Sequence, residues 1–218
     1  MQIKFDIKIL IFVLFFFIFN AWDIYLLFII FALVHELMHL IMGILVGFRP
    51  TQLTIMPFGA YINFNIDIEN YNTKILKGTM CSLKKLIVIM AGPLSNIILA
   101  LIFSFMSKYA IIMYINLILG IVNLFPIHPL DGGRIMKQIL ILVLGRRKAL
   151  KYTNLISNII LIIIAIETIF FCYISKSIVA ILAVIYLIII RKKENDIYKT
   201  KKIVYELIEN KKEENSNT

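Results

Sequence analysis

Cysteine and charged residues, acidic ones above all, are scarce in this sequence, and each shortage excludes something. The 218 residues hold two cysteines, Cys81 and Cys172, one read into a polar loop and the other near the end of an apolar run. Without paired spacing they indicate neither a disulfide framework nor a cysteine-ligated metal. Charged residues make up 17% against 61% hydrophobic, with a mean hydropathy of +0.90. That excludes an ordinary soluble domain and indicates an integral membrane protein. Only 13 acidic residues face 23 Lys and Arg, for a net charge of +10. Such an excess points to nucleic acid only where membrane topology does not account for it. Here topology does, and no nucleic-acid partner is implied. No small-residue cleavage site follows the first apolar run, and a second run begins at once. The first run therefore reads as a retained helix and not a signal peptide.

Hydropathy divides the chain into six candidate spans: Ile7–Asn20, Ile24–Phe48, Leu86–Ser107, Ile111–Pro126 with a broken continuation to residue 145, Leu155–Tyr173 and Ile178–Ile190. The first and last fall short of about 20 residues, so tilt or local thinning is expected. With the N-terminus in the cytoplasm, every Lys and Arg except Lys108 and Lys176 lies on the cytoplasmic side. The positive-inside rule then places both termini there. The fold class expected is an all-α polytopic membrane protein of about six helices. Residues 1–190 form the membrane domain and residues 191–218 a charged cytoplasmic tail.

One insertion breaks the helical pattern. Thr51–Met56 and Ala60–Asn65 alternate and carry β-branched or aromatic residues, with Pro57, Phe58 and Gly59 between them as a turn signal. This reads as a short β-hairpin between spans two and three, at or dipping into the membrane surface, with an ordinary cytoplasmic loop as the alternative. An exposed strand edge there could hold a substrate segment extended by strand addition.

Two of the three histidines, His35 and His39, stand four apart inside the second apolar run, with Glu36 beside the first. Four residues on a helix is one face and roughly 6 Å of rise, so both imidazoles can share a metal ion. Glu36 is near enough to reach a water on that ion, which is the H-E-x-x-H arrangement of zinc hydrolases. The alternatives are a chance match or a buried polar cluster between helices. Ionisable groups inside a membrane are expensive, which favours the functional reading. His39 lies about eight residues, roughly 12 Å, above the cytoplasmic end of its span.

A second concentration of improbable residues runs from Asn123 to Arg134. Pro126 and Pro129 remove backbone donors and prevent a regular helix. Irregular backbone at membrane depth survives only where it lines a cavity or is buried in protein. Asp131 resumes a helix, and Gly132 and Gly133 permit close approach of a neighbour. A carboxylate at this depth needs a cation. The metal is one candidate; Arg134, three residues on, is the other. His128 competes with Asp131 as third ligand. Charge favours Asp131, because a carboxylate halves the +2 of a zinc ion that two neutral imidazoles leave untouched. A metal transporter built on the same cluster is the rival function. It would need ionisable residues along a path to both faces, and apart from Glu167 the outer half has none.

The combination of Ala32 through His39, Ala91 through Asn96 and Asn123 through Arg134 resembles the site-2 protease family of intramembrane zinc metalloproteases, peptidase family M50. The resemblance covers roughly residues 24–145. It implies one Zn²⁺ per chain held by His35, His39 and Asp131, with Glu36 as catalytic base and Asn123 holding the substrate backbone near the metal. It also implies a membrane-tethered protein substrate, a bacterial cell membrane, and room for an inhibitory membrane partner. Within the family the pattern is most similar to the sporulation branch, whose substrate is a pro-sigma factor. Two departures stand out. No PDZ-like domain fits between Arg49 and Lys85, and the nucleotide-sensing CBS module of many sporulation members does not follow the last span. Neither ATP control nor the substrate's identity therefore follows from the resemblance.

Overall fold

The computed structural model describes residues 2–5, 22–56, 59–65, 74–175, 185, 187–200, 202, 203 and 207. Strand β1 (Gln2–Phe5) is followed by helix α1 (Trp22–Leu45), strands β2 (Arg49–Met56) and β3 (Gly59–Asn65), and helix α2 (Lys74–Ser104). A 3-10 turn, Ser107–Tyr109, leads into α3 (Ala110–Leu124), then α4 (Asp131–Leu144) and α5 (Arg146–Ser175). Residues 187–200 are helical and are called the C-terminal helix below. By packing the chain forms two compact units, Met1–Leu124 and Phe125–Thr218.

Four described helical segments are long and apolar enough to cross a membrane: Trp22–Leu45, Met80–Ser104, Ser107–Leu124 and Arg146–Phe170. The expected span Ile7–Asn20 lies outside the described residues, as does most of Ile178–Ile190, so a count of six is not established. Side chains such as Leu33, Leu37 and Ile41 stand 40–49% exposed along α1. Outward-facing leucine and isoleucine on a spanning helix is what lipid covers.

In the first unit, α1 ends where Gly47 takes φ 89° and the Phe48 N–H returns to the Gly43 carbonyl at 2.9 Å. A left-handed glycine with a six-residue return bond stops a helix and redirects the chain, here straight into β2. The hairpin is present, and it is not alone. β1 pairs in parallel with β2, Gln2 opposite Gln52, making a three-stranded sheet of order β1-β2-β3. β2 and β3 run antiparallel from Arg49 opposite Asn65 to Met56 opposite Gly59, with one irregularity between Pro50 and Gln52. Pro50 has no N–H to give the ladder, so a break in register beside it is expected. The sheet is fixed to α1 through Phe64, whose ring fills the space that a Cβ on Gly43 would occupy.

Helix α2 starts at Lys74, well before the expected Leu86. Cys81 therefore sits on a helix, where a polar loop was expected. Lys, Thr and Ser lowered the hydropathy of residues 74–85 without removing helix-forming capacity, and a hydropathy boundary misreads such a stretch. α1 packs on α3 through Ala32, Ile115 and Leu119, with Leu27, Phe28 and Phe31 around them. α3 meets α2 at Gly120, where an added Cβ would lie 3.1 Å from Ile97 Cγ1 and 3.4 Å from the Pro93 carbonyl.

In the second unit, residues 125–130 form the irregular segment that two prolines demand. α4 then begins at Asp131, as expected, and α5 follows after Gly145 at φ 79°. The expected boundary between last span and tail, at residue 190, falls inside the C-terminal helix.

Candidate metal centre

His35 and His39 are both buried on α1, 3% and 5% exposed, one turn apart. Each ring is held by α2 through its Nδ1. His39 Nδ1 lies 2.7 Å from the Val88 carbonyl, and His35 Nδ1 lies 3.1 Å from Asn96 Oδ1. Both partners are acceptors only, so both rings carry their proton on Nδ1. That leaves Nε2 of each ring as a lone-pair donor, and the two Nε2 atoms face one another at 3.1 Å. Two lone pairs at that distance repel unless a positive centre lies between them. The gap is shorter than twice a zinc–imidazole bond of about 2.1 Å, so one ion can reach both. A proton on Nδ1 held by a carbonyl or amide oxygen, with Nε2 presented inward, is how metal-ligating histidines are oriented.

Gly92 of α2 tests the fit further. A Cβ built there would fall 2.6 Å from His35 Nε2 and closer still to His39 Nε2. The missing side chain leaves open the space onto which both nitrogens point. Gly92→Ala should fill it while leaving α2 helical, since alanine favours helix over glycine by about 1 kcal/mol. The rings cannot simply swing away without breaking their bonds to Val88 and Asn96. Zinc affinity of the folded variant, measured by chelator competition, should fall about 10–100-fold, the usual size for disturbed ligand orientation. Unchanged affinity would mean that the imidazoles move aside freely and that the space is not where the ion sits.

Asn96 and Gly92 stand against the histidine pair and were given no role of their own in the sequence analysis, where Ala91 through Asn96 served only as part of the family resemblance. Asn96 is fully buried, and its Nδ2 has no hydrogen-bond partner among the described residues. Removing its oxygen would strand the buried Nδ1–H of His35, at about 1–3 kcal/mol. A signal was available, since an asparagine in mid-span is as improbable as the histidines.

In the second unit, Asp131 is 4% exposed at the first residue of α4. Arg134 Nη1 donates to its Oδ1 at 3.3 Å. Arg134 is itself 27% exposed, and such an i,i+3 pair is worth about 0–1 kcal/mol. Burying a carboxylate costs several kcal/mol, so this pair alone does not account for Asp131. His35 and His39 in the first unit and Asp131 in the second are each buried, and each offers a ligand atom of the kind that binds zinc. His128 is placed otherwise, with Nδ1 3.2 Å from Glu194 Oε2. Glu36 is half-buried on α1 beside His35. Asn123 is half-buried near the end of α3, and its Nδ2 donates to the Leu119 carbonyl at 3.0 Å.

Comparison with known proteins finds relatives by sequence and by fold. The model of peptidase family M50 matches residues 24–111 and 104–166. Stage IV sporulation protein FB of Bacillus subtilis (strain 168) is 29% identical over 113 residues. That alignment takes in 48% of this chain and 36% of the relative, so the chain spans well under two thirds of that protein. The solved site-2 protease from Methanocaldococcus jannaschii superposes with a TM-score of 0.64 at 21% identity, covering 88% of this chain and 89% of that one. At that identity the likeness concerns the fold.

Proposed function

Because this chain belongs to peptidase family M50, we propose that it is a zinc-dependent intramembrane endopeptidase that cuts a membrane-associated protein within or near its membrane segment. The observation that carries the reading is the pair of buried imidazoles with Nδ1 fixed and Nε2 atoms opposed at 3.1 Å, next to a glutamate on the same helix. His35, His39 and Asp131 would hold the metal. Zinc supplies Lewis acidity when bound and brings the pKa of a water down to about 7.

Glu36 takes a proton from the attacking water and returns it to the nitrogen of the leaving amine. Val88 and Asn96 keep both rings oriented throughout. Asn123 is assigned to the substrate backbone or the developing oxyanion, for which its amide must turn from the Leu119 carbonyl or use its second N–H. A helical substrate hides its carbonyls in its own hydrogen bonds, so it must be drawn out locally. The outer edge of β3 is the place proposed to hold it extended.

A sporulation setting is supported by the likeness to Stage IV sporulation protein FB, and a membrane-tethered pro-sigma factor is the substrate proposed on that ground. The charge asymmetry supports cytoplasmic termini. In a protein with Cys81 and Cys172 replaced, cysteine at Asn72 or Asn210 should label only from the cytoplasm, and cysteine at Ser175 only from outside. Labelling at Asn72 from outside would invert the topology. The function itself is tested by cleavage. Purified protein should cut a membrane-tethered substrate in detergent, lose the activity on chelation and regain it with zinc. Cutting that survives chelation would remove the metal from the mechanism.

A further inference from the structure

The C-terminal helix was expected to open a solvated tail, and its first turns do something else. Arg191 is 4% exposed, although Lys192 and Lys193 beside it are exposed. Its Nε donates to Asn158 Oδ1 at 2.8 Å, and its Nη2 to the Asn154 side chain and carbonyl at 2.6 and 2.9 Å. Nη1 donates to the carbonyl of His128 at 3.3 Å. Glu194, one turn on, faces the imidazole of the same His128. The less exposed residues of this helix are 187, 190, 191, 194, 195 and 198, which recur at helical spacing.

His128 is thus held at both backbone groups and at one ring nitrogen. Its N–H donates to Ser157 Oγ at 3.0 Å, its carbonyl accepts from Arg191, and its ring meets Glu194. What is held is the segment that delivers Asp131. Gly133 sits so close to the backbone of Ile127 and His128 that a Cβ there would overlap both. Leu130 N–H bonds to the Ile127 carbonyl at 2.8 Å, and Arg134 N–H to the Leu130 carbonyl at 3.0 Å. Any displacement of residues 127–128 therefore moves the first turn of α4. A buried guanidinium carries a large desolvation cost, and apolar packing would fix a helix more cheaply. The fork of five donors is what lets one side chain join two elements and a loop.

We propose that Arg191 and Glu194 are positioning residues, which clamp the 125–130 segment and so set Asp131 for metal binding. The inference rests on Asp131 being a zinc ligand. Zinc affinity is measured by chelator competition, with kcat, KM and thermal unfolding, on full-length Arg191→Ala, Arg191→Lys, Glu194→Ala and Asp131→Ala, with Lys192→Ala as surface control. Arg191→Ala should weaken zinc binding at least 10-fold and lower kcat with little change in KM. Arg191→Lys should recover part of the affinity, Glu194→Ala should weaken it several-fold, and Lys192→Ala should match wild type. Zinc affinity and kcat within twofold of wild type in folded Arg191→Ala would overturn the clamp. If that variant does not fold, wild-type affinity in both Arg191→Lys and Glu194→Ala overturns it equally. The two readings fail differently. Zinc lost in Asp131→Ala but kept in the Arg191 and Glu194 variants sinks the clamp alone, whereas zinc kept in Asp131→Ala sinks the ligand assignment and the clamp with it.

Discussion

Glu36→Gln should bind zinc like wild type and lose about 10²–10⁴ of its cleavage rate, the share of the rate that a positioned general base supplies. At 1.36 kcal/mol per decade this is about 3–5 kcal/mol of transition-state stabilisation. The amide has the size and shape of the carboxylate, so α1 and the two imidazoles need not move. It cannot accept the proton of the attacking water. His35 and His39 are fixed by Asn96 and Val88 of α2, and neither bond involves Glu36. Metal retention is thus expected to separate cleanly from activity. Near-wild-type hydrolysis by the variant would take the role of base away from Glu36.

Asp131→Ala should lose most of its zinc, while His128→Ala should still bind it, only several-fold more weakly, as Glu194→Ala should. The competing account makes Asp131 the partner of Arg134 at the start of α4, and their contact at 3.3 Å does exist. It predicts a small effect, because the arginine keeps enough exposure to be rehydrated and the pair is worth about 0–1 kcal/mol. A ligand role predicts a large one: two neutral imidazoles leave the full charge of the ion in a poorly polarisable site. His128 is engaged at backbone and ring by Ser157, Arg191 and Glu194. Its loss should loosen the segment before α4 without removing a donor from the metal. Metal analysis of matched, folded preparations decides between the two. Zinc kept without Asp131 and lost without His128 would reverse the assignment.

The histidine pair was legible because helix geometry is local: four residues apart means one face, whatever the rest of the chain does. The start of α4 at Asp131 was legible for a similar reason, since Pro126 and Pro129 forbid a helix before it. β1 was not. Gln2–Phe5 runs into an apolar stretch, and its partner Gln52–Ile55 lies some fifty residues away, so nothing in its own sequence announces a parallel strand. Gly92 shows the same limit from another side. A glycine next to a proline in a span reads as close packing, and which groups it approaches depends on which face of α2 meets α1. Arg191 was hidden by its company, because a basic residue followed by Lys192 and Lys193 looks solvated until Asn154 and Asn158 of α5 are seen to receive it.

These residues are expected to hydrolyse a peptide bond inside a membrane segment. The direct measurement is mass spectrometry of the products made in lipid vesicles from a single-span substrate, by zinc-loaded wild type and by Glu36→Gln side by side. New termini are expected within the apolar segment, towards its cytoplasmic half, formed by wild type, abolished by chelation and nearly absent with the variant. Cuts confined to the soluble flanks of the substrate, or equal yields from both proteins, would contradict it.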